Sequence, residues 1–185
     1  MQIKDNIDEI FALYERFGAA KYDGEEVTQL QHALQCAQLA ESEKASTATI
    51  LGAFLHDIGH LLQGEGVQLL AGGLGTQRHD VIGAEYLSKR GFPKDVTDFA
   101  GGHVNAKRYL VFKDAGYYER LSDCSKLTLI QQGGAMESNE AEEFEKNPRC
   151  RHILRMRHWD EQAKVVDKVT PSMEYYKRMC VDYLT

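Results

Sequence analysis

The most apolar helical stretch of this chain is interrupted by chemistry. In Ala53-Phe54-Leu55-His56-Asp57-Ile58-Gly59-His60 an imidazole, a carboxylate and a second imidazole stand where an ordinary core helix carries carbon. Burying an unpaired carboxylate is strongly unfavourable, so Asp57 requires cations or hydrogen-bond donors around it. A bound metal supplies them. Around it Ile50, Leu51, Phe54, Leu55 and Ile58 recur at helical spacing behind a Thr47 cap, which predicts a central helix packed on several sides.

Residues far along the chain extend the pattern. His32, His79, His103 and Asp160, each on or beside a predicted helix, join His56 and Asp57 in a series of four imidazoles and two carboxylates. Six such ligands exceed what one tetrahedral zinc with an open position takes. They suit two octahedral metals that share a carboxylate and keep positions for solvent or substrate. Side chains on facing helices converge inside a bundle, which makes helical bundles hosts for dinuclear centres.

The rest of the chain reads as amphipathic helices with short connections and no convincing strand. Ile7, Ile10, Phe11, Tyr14 and Phe17 mark a first helix stopped by Gly18, and Thr28 with Gln31 has capping-box spacing at the start of a second. Further helices are expected over 80–90, from Pro93 as a first helical residue, and over 117–132, 139–146, 149–164 and 171–183, the last behind a Thr170 cap. The acidic piece 137–145 reads as a solvated helix face. Five glycines within 63–77 predict a loop or lid, and the lack of a following Gly-Lys-Ser/Thr argues against a phosphate-cradling loop.

Composition removes other classes. A net charge of −6 argues against a general nucleic-acid binder, whose phosphate affinity comes from excess Lys and Arg. No run approaches the roughly 20 apolar residues of a membrane span, and the N-terminus lacks a signal-peptide pattern, so no membrane association and a cytoplasmic location are expected. Cys36, Cys124, Cys150 and Cys180 form no C-x-x-C pair and read as reduced, mostly core thiols.

The ligand series resembles that of the HD-domain metalloprotein superfamily, whose signature is the His56-Asp57 pair. The four histidines, spaced by 24, 23 and 24 residues, and then Asp160 match its whole pattern. The resemblance implies an all-α fold, a single HD-domain helical bundle over residues 1–185, with a metal-site core at about 22–160 and a C-terminal helix at 171–183. Most members of the superfamily are phosphohydrolases, in which metal-activated water attacks a phosphoester. A smaller branch uses a mixed-valent pair of iron ions, Fe(II)/Fe(III), and O2 to oxidise a substrate C–H bond, as in myo-inositol oxygenase and the phosphonate-cleaving enzymes of the PhnZ/TmpB type.

Local features are similar to those of the phosphonate-cleaving branch. Tyr22-Asp23-Gly24-Glu25 resembles its Tyr-x-x-Glu element, in which the tyrosine occupies a metal position until substrate displaces it and the glutamate helps position tyrosine and substrate. Lys107, one turn after His103, and Arg157, three residues before Asp160, resemble its phosphonate-binding cations. Ser125 and Thr128 resemble hydroxyl donors to the same group, and His60 a substrate contact and not a metal ligand.

The reaction so implied is oxidative cleavage of the C–P bond of 1-hydroxy-2-aminoethylphosphonate or its N-trimethylated analogue, giving phosphate and glycine or glycine betaine. Glu25 would then face the ammonium end, and Tyr22, Tyr109, Tyr117 and Tyr118 are candidate aromatic faces for a quaternary ammonium. Two irons bring about +5 and two carboxylates about −2, so the centre attracts a dianionic organophosphonate even in an acidic protein. The alternative is an HD-domain phosphohydrolase of a nucleotide or other phosphoester. A polyol oxygenase and a non-catalytic metal-bound regulatory module are further classes.

Overall fold

A computed structural model describes residues 2–22, 24–62 and 76–185. These residues form helices and no sheet. In order they are α1 (Gln2–Phe17), α2 (Gln29–Ser42), α3 (Thr47–Leu55), a 3-10 turn (Ile58–Leu61), α4 (His79–Lys89), α5 (Lys94–Lys113), α6 (Tyr117–Arg120), α7 (Asp123–Gln131), α8 (Ser138–Glu145), α9 (Cys150–Gln162) and α10 (Met173–Leu184).

As its composition demands, α3 is the central element, buried from Ala48 to Leu55 and packed against α2, α5, α9 and α10. On one side Phe11, Phe54 and Tyr176 stack, with Phe54 at 5.6 Å from Phe11 and 5.2 Å from Tyr176. On the other, the Phe99 ring of α5 lies on Gly52, where any Cβ would overlap it, so α3 and α5 approach closely. The buried stripe of α5 runs Val96, Phe99, Ala100, His103, Val104, Ala106, Lys107, and that of α9 runs Ile153, Met156, Arg157, Asp160. The chemistry-bearing residues therefore occupy core positions of their helices.

Local hydrogen bonding moves several boundaries from those expected. Ser46, not Thr47, caps α3, its Oγ accepting the Thr49 N–H at 3.3 Å. Replacing Ser46 by alanine is expected to cost about 1 kcal/mol, a fall in Tm of roughly 2–4 °C, checked by thermal unfolding. The helix expected over 117–132 is broken, because Leu121 is extended and Ser122 caps α7 through the Ser125 N–H. Ser172, not Thr170, caps α10, and Pro93 sits at the N-cap of α5, one residue outside the helix. The Gly-rich 63–77 segment lies outside the described residues except for Thr76 and Gln77.

Thr28 and Gln31 form the expected capping box of α2, with bonds of 3.1 and 2.8 Å. Just before it an isolated antiparallel bridge joins Lys21 to Thr28 and closes a small loop. Within that loop the Tyr22 N–H donates to the Val27 carbonyl at 2.9 Å and the Glu25 N–H to the Tyr22 carbonyl at 2.7 Å. Gly24 adopts φ +82°, which fits a glycine. All four cysteines are free thiols, three buried and Cys124 partly exposed. No helix among the described residues is long and apolar enough to cross a membrane.

Candidate metal centre

The structure brings together all six side chains singled out as ligands. His32 and His56 on or beside α2 and α3, Asp57 and α9 Asp160 form one group; Asp57, α4 His79 and α5 His103 form a second. Asp57 belongs to both. Its Oδ2 lies 3.1 Å from His56 Nε2 and 3.7 Å from His32 Nε2, while its Oδ1 lies 3.1 Å from His103 Nε2 and 3.6 Å from His79 Nε2. Asp160 Oδ1 closes the first group at 3.3 Å from His32 Nε2. All six residues are buried.

The opposite edge of each ring explains why the Nε2 atoms converge. The Nδ1 atoms of His32, His56, His79 and His103 each pair with a backbone carbonyl, of Ala163, Ala53, Thr76 and Ala100, at 3.0, 2.8, 3.1 and 2.8 Å. A carbonyl only accepts, so Nδ1 carries the proton and Nε2 presents a lone pair. Those lone pairs face one another, His79 Nε2 to His103 Nε2 at 2.8 Å and His32 Nε2 to His56 Nε2 at 3.4 Å. Acceptors turned towards each other and two carboxylates in a buried space call for positive charge, and the nitrogen and oxygen donors fit a divalent or trivalent first-row metal.

The electrostatics show the same demand. Burial alone would lower the His56 pKa, yet Asp57 and then Asp160 raise it to about 9. Burial would raise the Asp57 and Asp160 carboxyls, yet both are held well below the usual carboxylate range, Asp57 chiefly by His56 and His103 and Asp160 chiefly by Arg157 and His32. His79 is pushed well below the ordinary range, by burial and then by His60 and His103. Cys36 Sγ lies 3.5 Å from His32 Nε2 and forms a further possible ligand group with His32 and His56, while burial and then Asp160 and Asp57 push its thiol up.

The ligand spacing, the helical fold and the shared carboxylate meet a family pattern, and residues 30–164 match the model of the HD domain. The chain belongs to the HD-domain family. It is 41% identical over 184 residues to an uncharacterised protein of Acanthamoeba polyphaga mimivirus, covering 100% of this chain and 84% of that one. It is 38% identical over 173 residues to the [1-hydroxy-2-(trimethylamino)ethyl]phosphonate dioxygenase (glycine-betaine-forming) of Leisingera caerulea, covering 94% and 87% of the two chains. Over 172 residues it is 38% identical to the hydroxymethylphosphonate dioxygenase of Gimesia maris, covering 93% and 85%.

Beside the HD-domain ligands lies a cavity lined by Tyr22, Glu25, His60, Lys107, Ser125, Thr128 and Arg157, the seven residues singled out as substrate contacts. Tyr22 stacks on His32, ring centroids 3.8 Å apart, and its hydroxyl donates to Asp160 Oδ1 at 3.2 Å. Lys107 Nζ donates to Thr128 Oγ1 at 2.8 Å, and Thr128 Oγ1 to the Ser125 carbonyl at 3.1 Å. Arg157 pairs with Asp160 through NH1 and, through Nε, with Tyr117 Oη and Glu161 Oε1, both at 3.2 Å. His60 differs from the ligand histidines: its Nδ1 accepts the Thr76 N–H at 3.0 Å, so the neutral ring carries its proton on Nε2 and is a donor there.

Sequence reasoning missed several members of this HD-domain cavity. Lys164 Nζ donates to Glu25 Oε1 at 2.6 Å and to Ser122 Oγ at 3.2 Å, and Ser122 Oγ donates to Glu25 Oε1 at 2.8 Å. Burial raises the Glu25 carboxyl, but Lys164 and Ser122 outweigh it and the group lies below its ordinary value. Lys164 is 139 residues from Glu25 in the chain, and no local spacing announces that pairing. Val104, Cys124 and Gln132 also line the cavity, and Gln132 Oε1 is a buried acceptor without a partner among the described residues. A ligand O–H or N–H would satisfy it.

Proposed function

We propose that this HD-domain chain is an enzyme, an O2-dependent diiron dioxygenase that cleaves the C–P bond of a 1-hydroxyalkylphosphonate. His32, His56, Asp57 and Asp160 would hold one iron and Asp57, His79 and His103 the other. The mixed-valent pair supplies activation of O2 and removal of hydrogen from C1. One O2 is consumed per phosphonate: the C–H and C–P bonds break, and one oxygen atom ends in a carboxylate and the other in phosphate.

The observation that carries this reading is Tyr22, a phenol stacked on His32 and bonded to Asp160 at the edge of the first ligand group. Hydrolysis of a phosphoester gives such a phenol no task. A guard that yields to a chelating substrate does. Across the cavity Lys107 and Arg157 offer cations to the phosphonate, Ser125 and Thr128 offer hydroxyls, and His60 offers its Nε2–H. The names of the two bacterial relatives support the same chemistry.

The test is anaerobic reconstitution with iron, followed by phosphate release from 1-hydroxy-2-aminoethylphosphonate, its trimethylammonio analogue and hydroxymethylphosphonate, with and without O2. Release from any of them that requires both iron and O2 supports the dioxygenase. No release, together with O2-independent hydrolysis of phosphoesters in magnesium or manganese, assigns the phosphohydrolase instead. Tyr22→Phe removes the phenol oxygen and leaves the ligands. Its iron content is expected to stay at the wild-type level while the visible spectrum of the substrate-free iron form changes. An identical spectrum would show that Tyr22 is no guard.

A further inference from the structure

The end of the cavity that would meet a substrate's head group is already occupied by a cation. Resting on the phosphonate reading above, we infer that Lys164 is a specificity residue that sets this site for a small, uncharged head group, of the hydroxymethylphosphonate kind, and against ammonium and trimethylammonium heads.

A cationic head has two recognition elements to use, a carboxylate and an aromatic face. Both are engaged by Lys164. Its Nζ lies 2.6 Å from Glu25 Oε1 and 5.9 Å from the centroid of the Tyr22 ring. Among the described residues no second Phe, Tyr or Trp ring lines the cavity. Of the remaining tyrosines considered, Tyr117 turns its hydroxyl to Glu161 and Arg157, Tyr109 packs on Phe144, and Tyr118 lies beside Lys126. None of these lines the cavity, where Tyr22 is the sole Phe, Tyr or Trp among the described residues. The undescribed residues, Met1, Asp23 and 63–75, include no Phe, Tyr or Trp either.

Lys164 is held in place from both sides, which distinguishes it from a surface lysine that drifted into reach. The carbonyl of Ala163 before it accepts from His32 Nδ1 at 3.0 Å. The Val165 backbone after it makes a two-way amide pair with the Gln35 side chain, both bonds 3.0 Å. The segment leaving α9 is thus pinned along α2, and the Lys164 side chain is delivered to Glu25 and Ser122. A substrate ammonium arriving here either shares one carboxylate with a second cation or must break both bonds of Lys164, and like charges brought together are a means of rejecting a wrong ligand. An uncharged head does neither.

The experiment measures binding of hydroxymethylphosphonate, 1-hydroxy-2-aminoethylphosphonate and the trimethylammonio analogue to the iron-loaded protein by anaerobic calorimetry, with O2-dependent phosphate release as a second readout. Wild type is expected to bind hydroxymethylphosphonate about tenfold or more tighter than either cationic compound. Lys164→Met keeps the stem without the charge, and is expected to move that ratio by about tenfold towards the cationic heads, while Lys164→Arg keeps the wild-type order. A wild-type preference for a cationic head, or a ratio unmoved in Lys164→Met, overturns the inference and leaves the phosphonate reading standing. Binding of none of the three by wild type overturns the phosphonate reading, and the inference with it. The wild-type ranking decides even where a variant fails to fold.

Discussion

Asp57→Ala is expected, on the dioxygenase proposed above, to lose at least one of two metal equivalents and to reduce O2-dependent phosphate release by about a thousandfold or more, since metal chemistry of this kind contributes several kcal/mol to the barrier. The expectation follows from the division of labour between its two oxygens, one turned to His32 and His56 and the other to His79 and His103. Removing Asp57 takes a ligand from both groups at once. Asp160→Ala, by contrast, touches only the first group and is expected to leave the metal of Asp57, His79 and His103 bound. Metal content by mass spectrometry after reconstitution and desalting separates the two. An Asp57→Ala protein that retains both metals would remove Asp57 from the role of bridge.

Gly59→Ala should be the most damaging small substitution near the centre. A Cβ on Gly59 would fall on the His79 carbonyl, with the carbonyl carbon only 2.7 Å away. That neighbour is backbone at the start of α4 and cannot rotate aside. The expected cost is about 2–3 kcal/mol, a fall in Tm of roughly 4–12 °C, measured by calorimetric unfolding. Because α4 must shift, His79 leaves its place opposite His103, so the second group is expected to lose metal affinity before the first. Gly52→Ala is the control. Its added Cβ meets the Phe99 ring, so it should destabilise the α3–α5 packing without separating the two metal groups. Equal loss of both metals in Gly59→Ala, or none, would contradict this account.

What was legible in the sequence was whatever a buried helix face imposes. His56 and Asp57 stood out because they interrupt an apolar helix, His103 and Asp160 because they extend the ligand series, and Lys107 and Arg157 because they lie one turn from those two; the structure buries all six. The positions of most helices were readable from their periodicity, although the helix expected over 117–132 is two, α6 and α7. Boundaries were not, where neighbouring hydroxyls compete: Ser46 and Thr47 are both competent caps, and the choice turns on which oxygen reaches the Thr49 N–H. The break before α7 escaped notice because that helix has little amphipathic signal, with Leu127 50% and Ile130 68% exposed. Lys164 was hidden for a different reason. Its partners Glu25 and Ser122 come from distant parts of the chain, and its position depends on backbone bonds to His32 and Gln35.

The carbonyls that hold the ligand histidines have an implication for how such a centre can drift and be transplanted. Three of the four belong to residues three positions earlier in the same stretch of chain, Ala53 for His56, Thr76 for His79 and Ala100 for His103. Every residue type supplies a carbonyl. The tautomers are therefore indifferent to the identity of those neighbours, and the support of the histidines is written in backbone, while Asp160 leans on side chains, those of Arg157 and Tyr22. Mutational drift around the histidines can reshape the cavity for a new ligand while their geometry persists, and a designer grafting the centre copies the helical turns and the six side chains together with the Ala163 carbonyl and Arg157.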